Sequence, residues 1–379
     1  MSEEQEARVH RGLKDIHFDR SAICDIDGRA GKLWYRGYSI DDLARKSTFE
    51  ETAWLLIHGE LPTRAELDGF RATLAEHRSL PGGIIDLLGR LREAHPMEAL
   101  RTAVSALGAF DPEPMDTSRE ATLRKGVRLS AQVPALVAAH ERLRNGLDPV
   151  EHDPELGQAG NVLYQLTGNR PSDNAQRLLD TDLILHAEHG SNASSFTARV
   201  VTSTRANLHA AMTAAVAALS GPAHGGAAED VMRMAEEIGD PANAAEYVRR
   251  KRKNKEPVTG FGHRVYRAED PRARHMRDGV KRLSEEMGQP HWYQILEAVV
   301  EAMRPYARHG VNVNVDFYSG VVYHLHEIPR DLFVPLFAIG RVPGWTAQVL
   351  EQMDSGILIR PLAVYNGPAP REYVPIDRR

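Results

Sequence analysis

From Ser39 onward the chain carries helix start and stop signals at short intervals and almost no strand alternation, which restricts the fold more than any other feature. Ser47 to Glu50 and Thr48 to Glu51 both have capping-box spacing ahead of an apolar run that stops near Gly59. Thr63 to Glu66 repeats the signal and opens a helix through Glu76. His95-Pro96 opens another, ending at Gly108. Asp111 to Asp116, rich in Pro and Asp, reads as a loop. Arg119 to Asn145 reads as one or two helices with Pro134 as the expected kink, and Leu147 to Glu155 as a polar connection. Further helical patterns cover Asp173 to Gly190, Ala206 to Leu219, Ala227 to Ile238, Asp240 to about Lys255, Asp270 to Met287 and His291 to Tyr306. Shorter ones follow at Val321 to Glu327, Leu332 to Gly340 and Gly344 to Met353. Asp240-Pro241 and Asp270-Pro271 each supply an N-cap and first-position pair. Only residues 16 to 38 look β-like: IHFDRSAICDIDG followed by KLWYRGY predicts a hairpin turning at Asp27-Gly28. The expectation is an all-α fold with a short N-terminal β-hairpin. Abundant alanine and an aromatic content of only 6% agree with it.

Two stretches read as site rather than scaffold. GPAHGGA, Gly221 to Ala227, and GFGHRVYRAEDPR, Gly260 to Arg272, each set one histidine among glycines, which permit positive φ and close approach of backbone to a ligand. His224 falls between two helical patterns, near a helix N-terminus, where the positive end of the macrodipole disfavours protonation. A neutral histidine there can donate a hydrogen bond to a carbonyl. A lone histidine would read as a buried side chain in a tight turn. Two, His224 and His263, in two glycine clusters with arginines nearby, read as functional.

Other candidates are weaker. His186 and His189 in LHAEHGSNASS lie at i and i+3 on one helix face, but as metal ligands they lack further partners. One is expected to contact a polar ligand and the other to be structural. Asp316, within NVNVDFYS, reads either as a helix N-cap or as a carboxylate base with a raised pKa. The basic run Arg249, Arg250, Lys251, Arg252, Lys253 and Lys255 leads into the GFGHR loop, and is read as attracting an anionic, phosphate-bearing ligand rather than nucleic acid.

The 379 residues suffice for one large or two moderate domains. A net charge of −5 gives no reason to expect a nucleic-acid partner. Cys24 is the only cysteine, so no intrachain disulfide is possible. MSEEQEARVH has no apolar signal-peptide core and no stretch approaches membrane-spanning length, so a soluble cytoplasmic protein is expected. There is no Walker A motif, dinucleotide fingerprint or Gly-x-Ser-x-Gly elbow, which removes most nucleotide-hydrolysing, Rossmann and serine-hydrolase readings. The Pro-rich tail RPLAVYNGPAPREYVPIDRR is expected to lie across another subunit.

With these residues in view, the chain resembles the citrate synthase family in its shorter prokaryotic form. The resemblance runs from KLWYRGY through HPM-x-x-LRT and LHAEH to RPLAVYNGP. GPAHGGA, GFGHRVY-x-x-x-DPR and NVNVDFYSG, in that order, are its most specific parts. Ala228 stands where relatives often have Asn, and Arg267 where close relatives often have Lys. The family implies a two-domain helical fold: a large domain from residues 1–222 and 325–379, and a smaller inserted helical domain from 223–324. It implies condensation of acetyl-CoA with oxaloacetate and hydrolysis of the thioester, the entry step of the tricarboxylic acid cycle. Asp316 is then the base, His224 the donor to the thioester carbonyl, and His263 the group that polarises the oxaloacetate ketone. His189, Arg272, Arg341 and Arg360 match oxaloacetate-binding positions, with Arg360 contributed across a homodimer interface. Arg267, with Lys255, Gly260 and Gly262 of the loop before His263, matches the coenzyme A site. The family implies no metal and no cofactor beyond the thioester substrate. A 2-methylcitrate synthase using propionyl-CoA shares every motif named, and a non-catalytic binder of CoA or dicarboxylates is the remaining alternative.

Overall fold

Polar side chains cap the start of half of the α-helices among the described residues. The structure is a computed structural model and describes residues 9–13 and 16–379. Among them, three short antiparallel strands form one sheet: β1 (Cys24–Asp27), β2 (Lys32–Tyr35) and β3 (Tyr38–Ser39). Asp27 pairs with Lys32, and Asp27 Oδ1 accepts from the amides of Arg29 and Ala30, so the hairpin turns over four residues rather than at Asp27-Gly28 alone.

Sixteen α-helices follow among the described residues. The first six are α1 (Ile40–Lys46), α2 (Phe49–His58), α3 (Arg64–His77), α4 (Gly82–Arg90), α5 (Pro96–Phe110) and α6 (Arg119–Arg144). Then come α7 (Gln158–Thr167), α8 (Asp173–His186), α9 (Ala193–Ser203), α10 (Leu208–Leu219) and α11 (Ala227–Ile238). The last are α12 (Ala244–Lys253), α13 (Ala273–Glu286), α14 (Pro290–Ala307), α15 (Asp316–Leu325) and α16 (Phe333–Ser355). The expected caps start α2 and α3: Thr48 accepts from the Glu51 amide, and Thr63 with Glu66 forms a complete capping box. Each such cap stabilises its helix by about 1 kcal/mol.

Several boundaries differ from expectation. Residues 119–144 form one helix despite Pro134. A proline removes the hydrogen bond to the carbonyl four residues back, here Ser130, and the Gln158 side chain donates to that carbonyl instead at 3.2 Å. α8 ends at His186, not at Gly190, and α15 begins at Asp316, not after Gly320. α16 is continuous through Pro343. α4, α7 and α9 were not expected as helices.

α16 is the central element, apolar on nearly every face, and packs on α2, α5, α6, α8, α9 and α10. A separate group, α11 to α15, packs mainly within itself and meets the rest where α13 lies on α1 and α8, α15 on α8, and α11 on α16. The candidate residues lie along that junction. No helix among the described residues is long and apolar enough to cross a membrane.

Candidate active site

The end of α8 is anchored by the hairpin. Tyr35 on β2 is fully buried and its hydroxyl donates toward the Glu188 carbonyl at 2.8 Å. This fixes the turn that carries His189, whose Nε2 lies 3.1 Å from the Tyr266 hydroxyl and whose ring centroid is 5.2 Å from that of His263. His186 faces another way. Its Nδ1 donates to the Asp182 carbonyl at 2.9 Å, and its ring packs on Phe337. The i, i+3 pair therefore diverges, one histidine toward the cleft and one into the core. Among the described residues no three His, Cys, Asp or Glu side chains gather as a ligand set.

His263 sits in a loop built by pairing the two most distinctive motifs. The Gly262 amide donates to the Asn312 carbonyl at 2.7 Å, and the Asn314 amide to the Gly260 carbonyl at 2.9 Å. Gly260 has φ of +79°, and a Cβ there would lie 2.5 Å from Phe317, so only glycine fits. The hairpin turn closes on the same loop: a Cβ on Gly28 would stand 2.4 Å from the Val265 carbonyl oxygen. Nδ1 of His263 accepts from the amides of Val265 (3.0 Å) and Tyr266 (3.2 Å). The ring proton is therefore on Nε2. Burial, then the positive charge of Arg272, pushes the His263 pKa down to about 4.

His224 lies in the turn between α10 and α11. Gly225 allows that turn, because a Cβ there would be 2.5 Å from the Leu219 carbonyl oxygen. The Ser194 amide, in the first turn of α9, donates to His224 Nε2 at 3.2 Å, and the Ser194 hydroxyl lies 2.8 Å from the same nitrogen. Nε2 is thus an acceptor and the proton is on Nδ1. Burial and the charge of Arg341 bring the His224 pKa down to about 4. Both loop histidines are neutral hydrogen-bond donors at neutral pH.

Asp316 is the first residue of α15, not its cap; the N-cap position is Val315 and no side chain caps this helix. No hydrogen bond holds the Asp316 carboxyl among the described residues. Burial raises its pKa, with Asp270 and Asp182 pushing the same way and His186 and Arg272 opposing. Arg272, immediately before α13, is buried and pairs side-on with Asp270 at 2.9 and 2.7 Å. Arg341 on α16 is buried, donates Nε to the His186 carbonyl at 2.5 Å and leaves Nη1 without a partner. Glu188, fully buried nearby, accepts from Gln348 and has one oxygen unpartnered.

The Arg272 charge acts on His189, His263 and Asp316, and the Arg341 charge on His189 and His224, so the two guanidinium groups link these six residues. The remaining sequence candidates stand apart. Arg267 and Lys255 are exposed beside the His263 loop, Lys255 with φ of +60°. Gly262 shares the positive φ of Gly260, at +86°. Of the basic run, Arg249, Arg250 and Lys251 are tied to Glu246, Glu237 and Glu256, so only its remaining members, Arg252, Lys253 and Lys255, form no ion pair among the described residues. Arg360 is exposed on the extended tail and contacts none of these side chains among the described residues. Sequence reasoning missed Tyr35, Ser194, Tyr266, Asp270 and Glu188. Tyr35 and Tyr266 stood inside quoted motifs, whereas the partners of Ser194 and Glu188 are visible only after folding.

A carboxyl with a raised pKa, two neutral imidazoles and buried guanidinium groups are the side chains that removal of a proton beside a carbonyl of an anionic substrate calls for. Comparison with known proteins specifies the class. Residues 12–362 match the family described as citrate synthase, C-terminal domain. Citrate synthase 2 of Bacillus subtilis is 45% identical, covering 97% of this chain and 99% of that protein. 2-Methylcitrate synthase 2 of Corynebacterium glutamicum is 42% identical over the whole of both chains. A solved structure of citrate synthase from Thermoplasma acidophilum, in ternary complex with carboxymethyl coenzyme A and oxaloacetate, superposes with a TM-score of 0.91 at 31% identity, covering 98% of this chain and all of that one. The chain belongs to the citrate synthase family.

Proposed function

We propose that this protein condenses acetyl-CoA with oxaloacetate and hydrolyses the resulting citryl-CoA to citrate and CoA. The observation that carries the reading is that Arg272 and Arg341 link Asp316, His224 and His263, with the carboxylate made more basic and both imidazoles held neutral. Asp316 removes a proton from the acetyl methyl. Nδ1–H of His224 donates to the thioester oxygen, where the enolate charge develops. The enolate carbon bonds to the oxaloacetate ketone carbon, and Nε2–H of His263 supplies the proton to the new alkoxide. Water then adds to the thioester, and CoA leaves as the thiol. Arg272 and Arg341, with His189, hold the two carboxylates of oxaloacetate, for which the planar guanidinium fork is suited. The loop 255–267 receives the coenzyme A.

Residues 223–324 act as the small domain and close on 1–222 and 325–379 once oxaloacetate is bound, keeping water out until the carbon–carbon bond exists. The enzyme works as a homodimer. The tail supports that part of the reading, since Leu362, Tyr365 and Tyr373 are exposed on it at 89%, 76% and 80%, and apolar side chains so exposed call for a covering surface. Arg360 then completes the partner's dicarboxylate site. The reaction is the cytoplasmic entry step of the tricarboxylic acid cycle and uses no metal or further cofactor.

Propionyl-CoA as the acyl donor is the second reading, favoured by the full-length identity to the Corynebacterium 2-methylcitrate synthase. One methylene changes binding by about 1–3 kcal/mol. The test is steady-state CoA release from acetyl-CoA and propionyl-CoA, with and without oxaloacetate. Oxaloacetate-dependent release with a higher kcat/KM for acetyl-CoA supports the proposal. A preference for propionyl-CoA selects the second reading, and release from neither overturns both.

A further inference from the structure

Asp182 takes no part in the chemistry above, yet like Glu188 it is a carboxylate with no solvent exposure. An isolated charge in such a place is unstable unless donors surround it. Two do. The Ser319 hydroxyl donates to Oδ1 at 2.6 Å and the Tyr323 hydroxyl to Oδ2, while His186 Nδ1, whose proton goes to the Asp182 carbonyl, lies 3.3 Å from Oδ1. Burial works against ionisation, but His186 and these donors outweigh it and hold the Asp182 pKa below the ordinary carboxylate value. The Tyr323 phenol is pushed well up, chiefly by burial, and so keeps its proton for donation.

Both hydroxyls belong to α15, four residues apart, and Asp316 is three residues before Ser319 in the same helix. Spacings of three and four place all three side chains on one face. Asp182 belongs to α8, whose end leads into His189. The carboxylate therefore joins the helix that starts with Asp316 to the helix that leads to the oxaloacetate-binding histidine.

We propose that Asp182 is a positioning residue for the base: it moors α15 to α8 through Ser319 and Tyr323. Its negative charge also works toward a higher Asp316 pKa. The proposal rests on Asp316 being the base. The charged and titratable groups around Asp316 are His186 and Asp182 from α8, Asp270 and Arg272 from the turn before α13, and Tyr323 on its own helix. Of these, Asp182 and Asp270 favour the protonated carboxyl, while His186 and Arg272 oppose it. Asp270 is already paired with Arg272.

The test compares Asp182→Asn, Tyr323→Phe and Ser319→Ala in the full-length enzyme. Asp182→Asn is expected to lower kcat ~10- to 100-fold, the scale of a small misplacement of a reacting group, while the KM for oxaloacetate changes little. Loss of the negative charge lowers the Asp316 pKa, so the acid limb of the kcat–pH profile moves to lower pH. Tyr323→Phe and Ser319→Ala keep the charge and weaken the tether. They should lower kcat with the limb left in place, and amides of α15 should exchange hydrogen faster in the substrate-free protein. Wild-type kcat in Asp182→Asn overturns the proposal, as does a lowered kcat with an unmoved limb. If Asp182→Asn fails to fold, the two hydroxyl variants decide: wild-type kcat and wild-type α15 exchange in both overturn it. Asp316→Asn is measured alongside. If that variant keeps full activity, the assignment of the base has failed, not the mooring, which the exchange rates of α15 still report.

Discussion

The Asp270–Arg272 pair gives the most stringent test of how the cleft is held. Asp270 and Arg272 are only 1% and 4% exposed. The carboxylate accepts from Arg272 Nε, Nη2 and the Arg272 amide, and from the Val315 amide at 3.3 Å. Asn in place of Asp270 is nearly isosteric, removes the charge and turns an NH2 group toward donors that cannot accept from it. Removing one partner of a buried pair leaves an uncompensated charge and costs about 3–5 kcal/mol. Such a loss lowers the folding equilibrium constant by at least about a hundredfold, since 1.4 kcal/mol is about tenfold. Equilibrium urea unfolding, followed by tryptophan fluorescence at matched protein concentration, reads the difference.

The pH dependence of that difference is fixed by the direction of the Asp270 shift. Burial raises its pKa, but Arg272 outweighs burial and holds the folded value below the ordinary one. The charge therefore contributes its full stabilisation above the unfolded aspartate value of about 3.9. It is lost only as pH falls through the lower, folded value. Between about pH 5 and pH 8 the gap between wild type and Asp270→Asn should stay constant. A gap under about 1 kcal/mol, the level of an exposed pair, or one that shrinks within that range, would refute the reasoning. The same variant should raise the KM for oxaloacetate, because Arg272 loses the partner that orients it.

Asp316→Asn should retain oxaloacetate binding and lose about 10²- to 10⁴-fold in kcat, the usual contribution of a general base, with exchange at the acetyl methyl falling in parallel. His224 and His263, with pKa values near 4, should show no imidazole titration by NMR around the ordinary value of about 6.5; either titrating there contradicts the neutral-donor assignment. Gly344→Ala would place a Cβ 2.0 Å from the Ala187 carbonyl oxygen and 2.6 Å from Glu188. Overpacking of this kind costs about 1–3 kcal/mol, so a lower urea midpoint and weaker oxaloacetate binding are expected, and an unchanged midpoint counts against the packing argument. Mixing inactive Arg360→Ala and Asp316→Asn homodimers tests the shared site. Random pairing makes about half the dimers heterodimers, each with one whole site, so about a quarter of wild-type activity should return; no return after proven subunit exchange places Arg360 in its own chain's site.

How much of this was legible in the sequence depends on where the signal lay. Helices opened by a side-chain cap, such as α2 and α3, were placed to within a residue or two, because the signal is local. α7 begins at Gly157 with no side-chain cap, and a glutamate distant in sequence, Glu50, accepts from its first amide at 2.7 Å. α4 opens on Pro81-Gly82-Gly83, which locally reads as a turn. Pro134 read as a kink because the compensating donor, the Gln158 side chain, comes from elsewhere in the chain. The catalytic candidates were legible for a different reason: glycine is needed where backbone passes close to other groups, and those glycines flank His224 and His263. Of the partners that set the proton positions, Ser194 reaches His224 only through tertiary placement, whereas the Val265 and Tyr266 amides reach His263 within its own loop.

The two histidines reach the same electrical state by different routes, and this bears on their different tasks. His263 takes both acceptor bonds from its own loop, so its Nε2–H stays fixed as long as that loop is intact. His224 takes its bond from Ser194, in the first turn of α9, across the gap between two elements. The Ser194 hydroxyl also receives the indole N–H of Trp345 on α16, at 3.1 Å. His224 is thus set by the contact of its turn with α9 and α16, both outside the α11–α15 group, whereas His263 is set within that group. A movement of one group against the other would carry His263 with its proton unaltered. The same movement would tighten or loosen the bond that fixes the proton of His224. Under the closure proposed above, His224 is the imidazole whose proton position the movement affects, and His263 the one it leaves alone.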